Sequence, residues 1–139
     1  MTPPKGITIT YRVPYADTDQ MQVVYYANYL TFFERARNEL MRACGFTYRD
    51  LEANGFALPV LEAHVNYHAP ATYDDLLEIT AWCSDFKGVR LKICCEVRLA
   101  GTLLAEGYTV HAHVSIQNLR PTRPSPDMLA ALGFGPASA

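Results

Sequence analysis

Ile7, Ile9, Tyr11, Val13 and Tyr15 alternate with Thr8, Thr10, Arg12 and Pro14. A period of two predicts a half-buried strand. Pro14 cannot donate to a ladder, so the strand ends there or lies at an edge. Ala16 to Tyr25 is then a connection. From about Tyr26 to Cys44 the period changes. Leu30, Phe33, Arg37, Leu40, Met41 and Cys44 recur at three- and four-residue spacings, while Glu34, Arg35, Asn38, Glu39 and Arg42 mostly fill the other side. This predicts an amphipathic helix of about five turns, with Asn28 as N-cap and Gly45 as the left-handed residue that ends it. Tyr48 to Ala53 adds a short helical turn before Asn54-Gly55.

Four strand-like runs follow: Phe56 to His68, Leu76 to Phe86, Val89 to Ala100 and Leu103 to Ile116. Ala69 to Asp75, Lys87-Gly88 and Gly101 separate them, and the last three runs read as an antiparallel meander. The proline-rich segment from Arg120 to Pro126 cannot continue a sheet. Asp127 caps a short helix over Met128 to Leu132, and Gly133 to Ala139 reads as a mobile tail. The order is strand, long helix, four strands. It predicts an α+β protein: a five-stranded antiparallel sheet wrapped around one long central helix. One helix leaves much of such a sheet uncovered, so a homodimer or homotetramer is expected.

The chain has 139 residues, half of them hydrophobic and 19% charged, which fits one domain over 1–139 with its own core. A formal charge of −2 gives no general attraction to nucleic acid. No apolar run approaches the roughly 20 residues of a membrane span, and the N-terminus lacks a signal-peptide pattern. The expectation is a cytoplasmic protein. Cys44, Cys83, Cys94 and Cys95 form no C-x-x-C pair and sit in apolar segments, as buried free thiols do. His64 and His68 lie about 13 Å apart on one strand, too far to share a metal. His111 and His113 lack a third ligand. No metal and no cofactor are expected.

Asp17 and Asp19 stand one residue apart just before the helix. Such acids often make turns by bonding their own backbone. A carboxylate beside free helix-terminal N–H groups also gives a nucleophile or base next to an oxyanion site, which suits acyl transfer. Glu62 lies in an otherwise apolar strand and either faces solvent or reaches the same cleft. Lys87, Arg90 and Lys92 around the Gly88 turn are a solvated hairpin or a grip for phosphates.

Tyr15-Ala16-Asp17-Thr18-Asp19, Val23-Val24-Tyr25-Tyr26-Ala27-Asn28-Tyr29, Phe33-Glu34-Arg35-Ala36-Arg37 and Ala69 to Leu77 together resemble the 4-hydroxybenzoyl-CoA thioesterase family of the hotdog fold. Within it, the likeness is greatest to the bacterial acyl-CoA thioesterase branch associated with the Tol-Pal system. The resemblance implies hydrolysis of an acyl-CoA thioester without metal or cofactor. It implies that Asp19 is the catalytic carboxylate, that the backbone N–H of Tyr26 polarises the carbonyl, and that Asp17 holds the loop. It also implies CoA nucleotide binding near a hairpin such as Lys87–Lys92. The family usually has glycine where this chain has Gln22. Glycine there implies positive φ or close approach to ligand, so Gln22 either accepts strain or marks a different loop.

Other functions on such a chain would be an acyl-thioester dehydratase, a non-catalytic acyl-binding module, or a thioesterase acting on acyl carrier protein. The first needs a histidine base with an acid on the central helix, and no histidine occurs before Ala63.

Overall fold

The computed structural model describes residues 6–134. In chain order it forms β1 (Ile7–Arg12), a 3₁₀ turn (Tyr15–Asp17), α1 (Asn28–Ala43), α2 (Tyr48–Ala53), β2 (Phe56–Ala57), β3 (Val60–Tyr67), β4 (Leu76–Lys87), β5 (Arg90–Leu99), β6 (Thr102–Ala112), β7 (Val114–Ser115) and α3 (Pro126–Leu132). Five strands make one antiparallel sheet in the order β1-β4-β5-β6-β3. This sheet wraps α1, as the order of elements predicts. Among the described residues no helix is long and apolar enough to cross a membrane.

The alternation along β4 and β5 decides which face meets the helix. Leu77, Ile79, Ala81, Leu91, Ile93, Cys95 and Val97 are buried inward. Glu78, Thr80 and Trp82 on β4 and Lys92, Cys94 and Glu96 on β5 take the other face. α1 answers with Tyr29, Phe32, Phe33, Ala36, Leu40 and Met41, all buried. Phe33 has no exposed surface, and truncating such a phenyl ring costs about 3–5 kcal/mol. Gly107 lets β6 pass this close. A Cβ built there lies 1.9 Å from the His64 carbonyl oxygen and 3.0 Å from Phe33 Cε2.

Some predicted boundaries move, each for a local reason. The run from Phe56 to His68 splits at Leu58-Pro59. β2 pairs with β7 in a separate two-stranded sheet, and only β3 joins the main one. Pro59 has no N–H to offer a ladder, and its carbonyl accepts from Ala112 N at 3.2 Å. The helix begins at Asn28, with Ala27 as N-cap and no side-chain cap. Asn28 does not cap because its amide Nδ2 donates to the Asp17 carbonyl at 2.9 Å. Leu30, expected in the apolar stripe, is 39% exposed. Gly45 ends α1 at φ 84°, and Phe46 N returns to Met41 O.

At the far end, Ser125 rather than Asp127 caps α3, accepting from Met128 N at 3.2 Å. Met128, Leu129 and Leu132 are buried, so the proline-rich segment leads into a docked helix. Gly133 closes it at φ 101°. The rest of the expected tail, residues 135–139, lies outside the described residues.

Candidate active site

The loop between β1 and α1 is held from both sides. Val13 exchanges backbone bonds with Asp75 and Asp74, and Val24 N donates to Ala71 O at 2.8 Å. Val23 also bridges Thr72. Inside the loop, Thr18 bridges Val24, and Asp19 N donates to Val23 O at 2.9 Å. The Asp17 carbonyl collects Tyr25 N and the Asn28 amide, each at 2.9 Å. The Asp17 carboxylate accepts from the Tyr11 hydroxyl at 2.6 Å. Burial, then the bond to Asp17, pushes the Tyr11 phenol up to about 12, so it stays a donor. Asp17 thus ties the loop together through its carbonyl and through Oδ2.

Asp19 differs. Its Oδ1 accepts from Met21 N at 2.8 Å, and its carbonyl accepts from Gln22 N at 2.9 Å. These bonds fix the carboxylate and leave Oδ2 without a donor among the described residues. The tight return from Asp19 to Val23 demands a left-handed residue, and Gln22 supplies it at φ 67°. The left-handed region costs an L-residue about 1–2 kcal/mol. Of the two readings of Gln22, accepted strain is the one observed.

Tyr25 lies against Asp17, and Tyr26 and Ala27 turn the chain into α1. Among the described residues neither Tyr26 N–H nor Ala27 N–H has an acceptor. These free donors sit at the positive end of the helix dipole. The Tyr26 carbonyl is taken by the Tyr67 hydroxyl at 2.8 Å. The Tyr25 phenol is raised above its ordinary value, first by its contact with the Tyr26 hydroxyl and least by the Asp19 carboxylate. Tyr25, Tyr26 and Tyr67 form an exposed aromatic wall beside the free donors.

The other candidates are not gathered here. Glu62 lies on the face of the sheet turned away from α1, accepting from the Tyr108 hydroxyl at 2.6 Å. A bulge between Val60 and Glu62 shifts the register, so Glu62 pairs with outward Val110 whereas Val60 pairs with inward His111. Lys92 joins the outer face, its Nζ 4.2 Å from the Tyr108 ring centre. Lys87 and Arg90 pair at the hairpin. That hairpin lies at the opposite end of β4 from Asp75, roughly 35 Å along the strand. His111 and His113 are buried and separately engaged, with Leu58 O and Thr122 O. Burial pushes the Cys83 and Cys95 thiols up to about 12, which disarms both as nucleophiles.

Sequence reasoning passed over a second polar feature. Arg37 sits on the apolar side of α1 and is 7% exposed. Its Nε donates to the Tyr48 hydroxyl at 2.7 Å, and Nη1 donates to Thr109 Oγ1 at 3.4 Å. Thr109 then donates to His111 Nε2 at 2.8 Å, and His111 Nδ1–H donates to Leu58 O at 2.9 Å. The chain runs from α1 through β6 to the segment before β3. Burial, with the nearby guanidinium, lowers His111 to about 4, which keeps it neutral. Arg37, Asn38, Tyr48, Leu58 and Val60 border a cavity of about 520 Å³. The one signal in the sequence was an arginine in the helix's hydrophobic register.

Residues 13–132 match the family model of the thioesterase-like superfamily. The chain belongs to the thioesterase-like superfamily. Members similar to it include the acyl-CoA thioester hydrolase YbgC of Escherichia coli O6:H1, 38% identical over 111 residues, 79% of this chain and 83% of that protein. The acyl-CoA thioesterase YbgC of Haemophilus influenzae is 40% identical over 119 residues, 84% of this chain and 86% of its own. Among solved thioesterase-like structures, the DHNA-CoA thioesterase of Staphylococcus aureus superposes with a TM-score of 0.85 at 29% identity, covering 91% of this chain and 87% of that one.

Proposed function

We propose that this protein hydrolyses acyl-CoA thioesters, with Asp19 as the catalytic carboxylate. The observation that carries this reading is the loop from Asp17 to Ala27. Asp17 is tied to Tyr11 of β1, Asp19 is bonded only within its own turn with Oδ2 left over, and the helix entry offers N–H groups without acceptors among the described residues. A thioester carbonyl polarised by Tyr26 N–H would develop negative charge where the helix terminus favours it. Asp19 acts on that carbonyl as nucleophile, or as general base on a water. The thiolate of CoA then leaves. Within the superfamily, the motif Tyr15 to Asp19 and the YbgC relatives support placement in the bacterial branch of the 4-hydroxybenzoyl-CoA thioesterase family tied to the Tol-Pal system. The buried Cys83 and Cys95 thiols fit the cytoplasm.

The working form is a homodimer joined through β3. This strand is bonded to β6 on one side only, and all its residues but Val65 are exposed. Val60 and Leu61 are each 50% exposed. An open apolar strand edge is a template for another strand. A two-fold axis would pair β3 with its copy antiparallel, setting the Val60 end of one protomer against the Tyr67 end of the other. The Lys87–Arg90 hairpin lies toward the Val60 end, since Arg90 pairs Ala112 and Val60 pairs His111. It would thus approach the partner's loop, where CoA phosphates need cations. The outer sheet face carrying Trp82 and Tyr108 would bury further in a tetramer.

Free-thiol release from short, long and aromatic acyl-CoAs tests the activity. Asp19→Asn lowers kcat by roughly 10²–10⁴-fold with its fold and size unchanged. Wild-type turnover by that variant removes Asp19 from the chemistry. Faster cleavage of acyl carrier protein thioesters than of acyl-CoAs reassigns the substrate.

A further inference from the structure

We propose that a second cavity, beside His113, binds a small flat aromatic molecule of the indole or pyrrole class through its neutral ring N–H. The site is separate from the loop acids and does not rest on the thioesterase reading.

The cavity measures about 370 Å³ and lies between α2, β2 and the segment leading into α3. That is toward the small end of the range for ligand sites, roughly 300–1,000 Å³. Leu51 and Asn54 of α2 line it, whereas Tyr48 and Glu52 of the same helix line the larger cavity beside Arg37. Its apolar walls are Phe46, Leu51, Phe56 and Met128. Two of these present aromatic rings, and a thioether packs well against a third. Such walls favour an aromatic ligand.

His113 supplies the polar point. It is 2% exposed, and its ring centre lies 4.8 Å from that of Phe56, with the planes 32° apart. Nδ1–H donates to Thr122 O at 2.6 Å, while Thr122 N donates back to His113 O at 2.8 Å, so the imidazole is held in one orientation. A carbonyl only accepts. The proton is therefore on Nδ1, and Nε2 carries a bare lone pair. Burial lowers the imidazole below its ordinary value, which keeps it neutral at pH 7. Nε2 has no partner among the described residues. Among those that are not exposed, Asn38 Oδ1 is the one side-chain nitrogen or oxygen both without a partner and sealed from solvent. Nε2 is therefore not sealed. In a residue this deeply buried, its opening is the cavity that His113 lines.

What the cavity lacks sets the chemistry of the ligand. Nε2 takes a hydrogen bond and gives none back. Phe46, Leu51, Phe56 and Met128 have no side-chain donor, and the one on His113 is already used. A hydroxyl would bring lone pairs that these walls leave unmet, whereas a ring N–H only donates. Among the described residues no carboxylate lines the cavity, and its one cation, Arg123, is exposed. A charged group at the inner end would have no buried partner.

The test titrates full-length protein with indole and with N-methylindole, which keeps the ring and lacks the N–H. By calorimetry indole binds about tenfold more tightly or better, because it alone satisfies Nε2. His113→Phe removes that preference. In protein carrying isotope-labelled histidine, the Nε2 resonance of His113 moves with indole and stays in place with N-methylindole. Magnetisation transfer from the indole protons to the Met128 methyl group locates the ring, with Met128→Leu identifying that methyl. Equal binding of the two probes by the wild type overturns the role of Nε2. No binding of indole at millimolar concentration, or binding that leaves both His113 and Met128 undisturbed, overturns the site. If His113→Phe does not fold, the two probes on the wild type and the Met128 contact decide alone. None of these readings uses turnover, so failure of the thioesterase reading leaves the test of this site intact.

Discussion

Tyr67 donates its hydroxyl to the carbonyl of Tyr26 at 2.8 Å. The donor stands on the exposed edge strand and the acceptor at the entry to α1, so the bond ties the sheet edge to the helix start. It fixes the Tyr26–Ala27 peptide plane. Tyr67→Phe removes the bond but keeps the edge contact with Tyr29, whose ring centre is 5.2 Å away. We expect kcat/KM to fall about tenfold, with a loss of stability near 1 kcal/mol. Steady-state kinetics beside urea titration separates the two effects.

Gln22 holds a backbone conformation that suits glycine, at φ 67°. Gln22→Gly relieves that strain while adding chain entropy to the unfolded state, for a net gain of up to about 1 kcal/mol. Gln22→Val moves the other way, since a β-branched residue is worse placed at positive φ. Denaturant midpoints of the pair should bracket the wild type.

Gly107→Ala forces a methyl group to 1.9 Å from the His64 carbonyl. The obstacle is backbone, so β3 must move off β6 or the chain must stay unfolded. We expect a loss of about 3 kcal/mol or more, read from thermal or chemical denaturation. Loss of dimer on gel filtration should accompany it, because the displaced strand is the proposed interface.

His111 sets an acid limit. Its value falls from 6.5 to about 4 on folding, first through burial. Between those values the unfolded chain binds more protons than the native one, so stability rises with pH across the window. This contribution is complete above 6.5 and lost as pH falls toward 4, a change of roughly 3 kcal/mol. Burial lowers His113 too, in the same sense. Unfolding free energies measured across that range should slope upward with pH, and His111→Asn should flatten the slope.

The elements were legible because their periods are. Alternation along β4 and β5 and the three-four spacing of Tyr29, Phe33, Ala36 and Leu40 leave little choice about what faces what. The loop acids were legible as a pair. What escaped depends on single-residue parity or on distant partners. The bulge after Val60 turns Glu62 to the outer face, and nothing in the sequence marks it. Asn28 looks like a cap, yet its amide serves Asp17 across the loop. Arg37 counted as one more position on a helical stripe, while its burial depends on Tyr48 and Thr109, the latter 72 residues away.

The two clamps on the loop, Val13 with Asp74 and Asp75 and Val24 with Ala71, join segments about 50 to 60 residues apart. A chain growing from its N-terminus therefore carries both acids and the whole of α1 well before it can assemble the site. Closure over such separations is slow. During synthesis the protein would pass through a stage with a formed helix and no hydrolytic capacity. With the proposed role of the Asp19 loop, thioesterase activity then appears only after β4 has emerged and docked, making it a late reporter of correct folding.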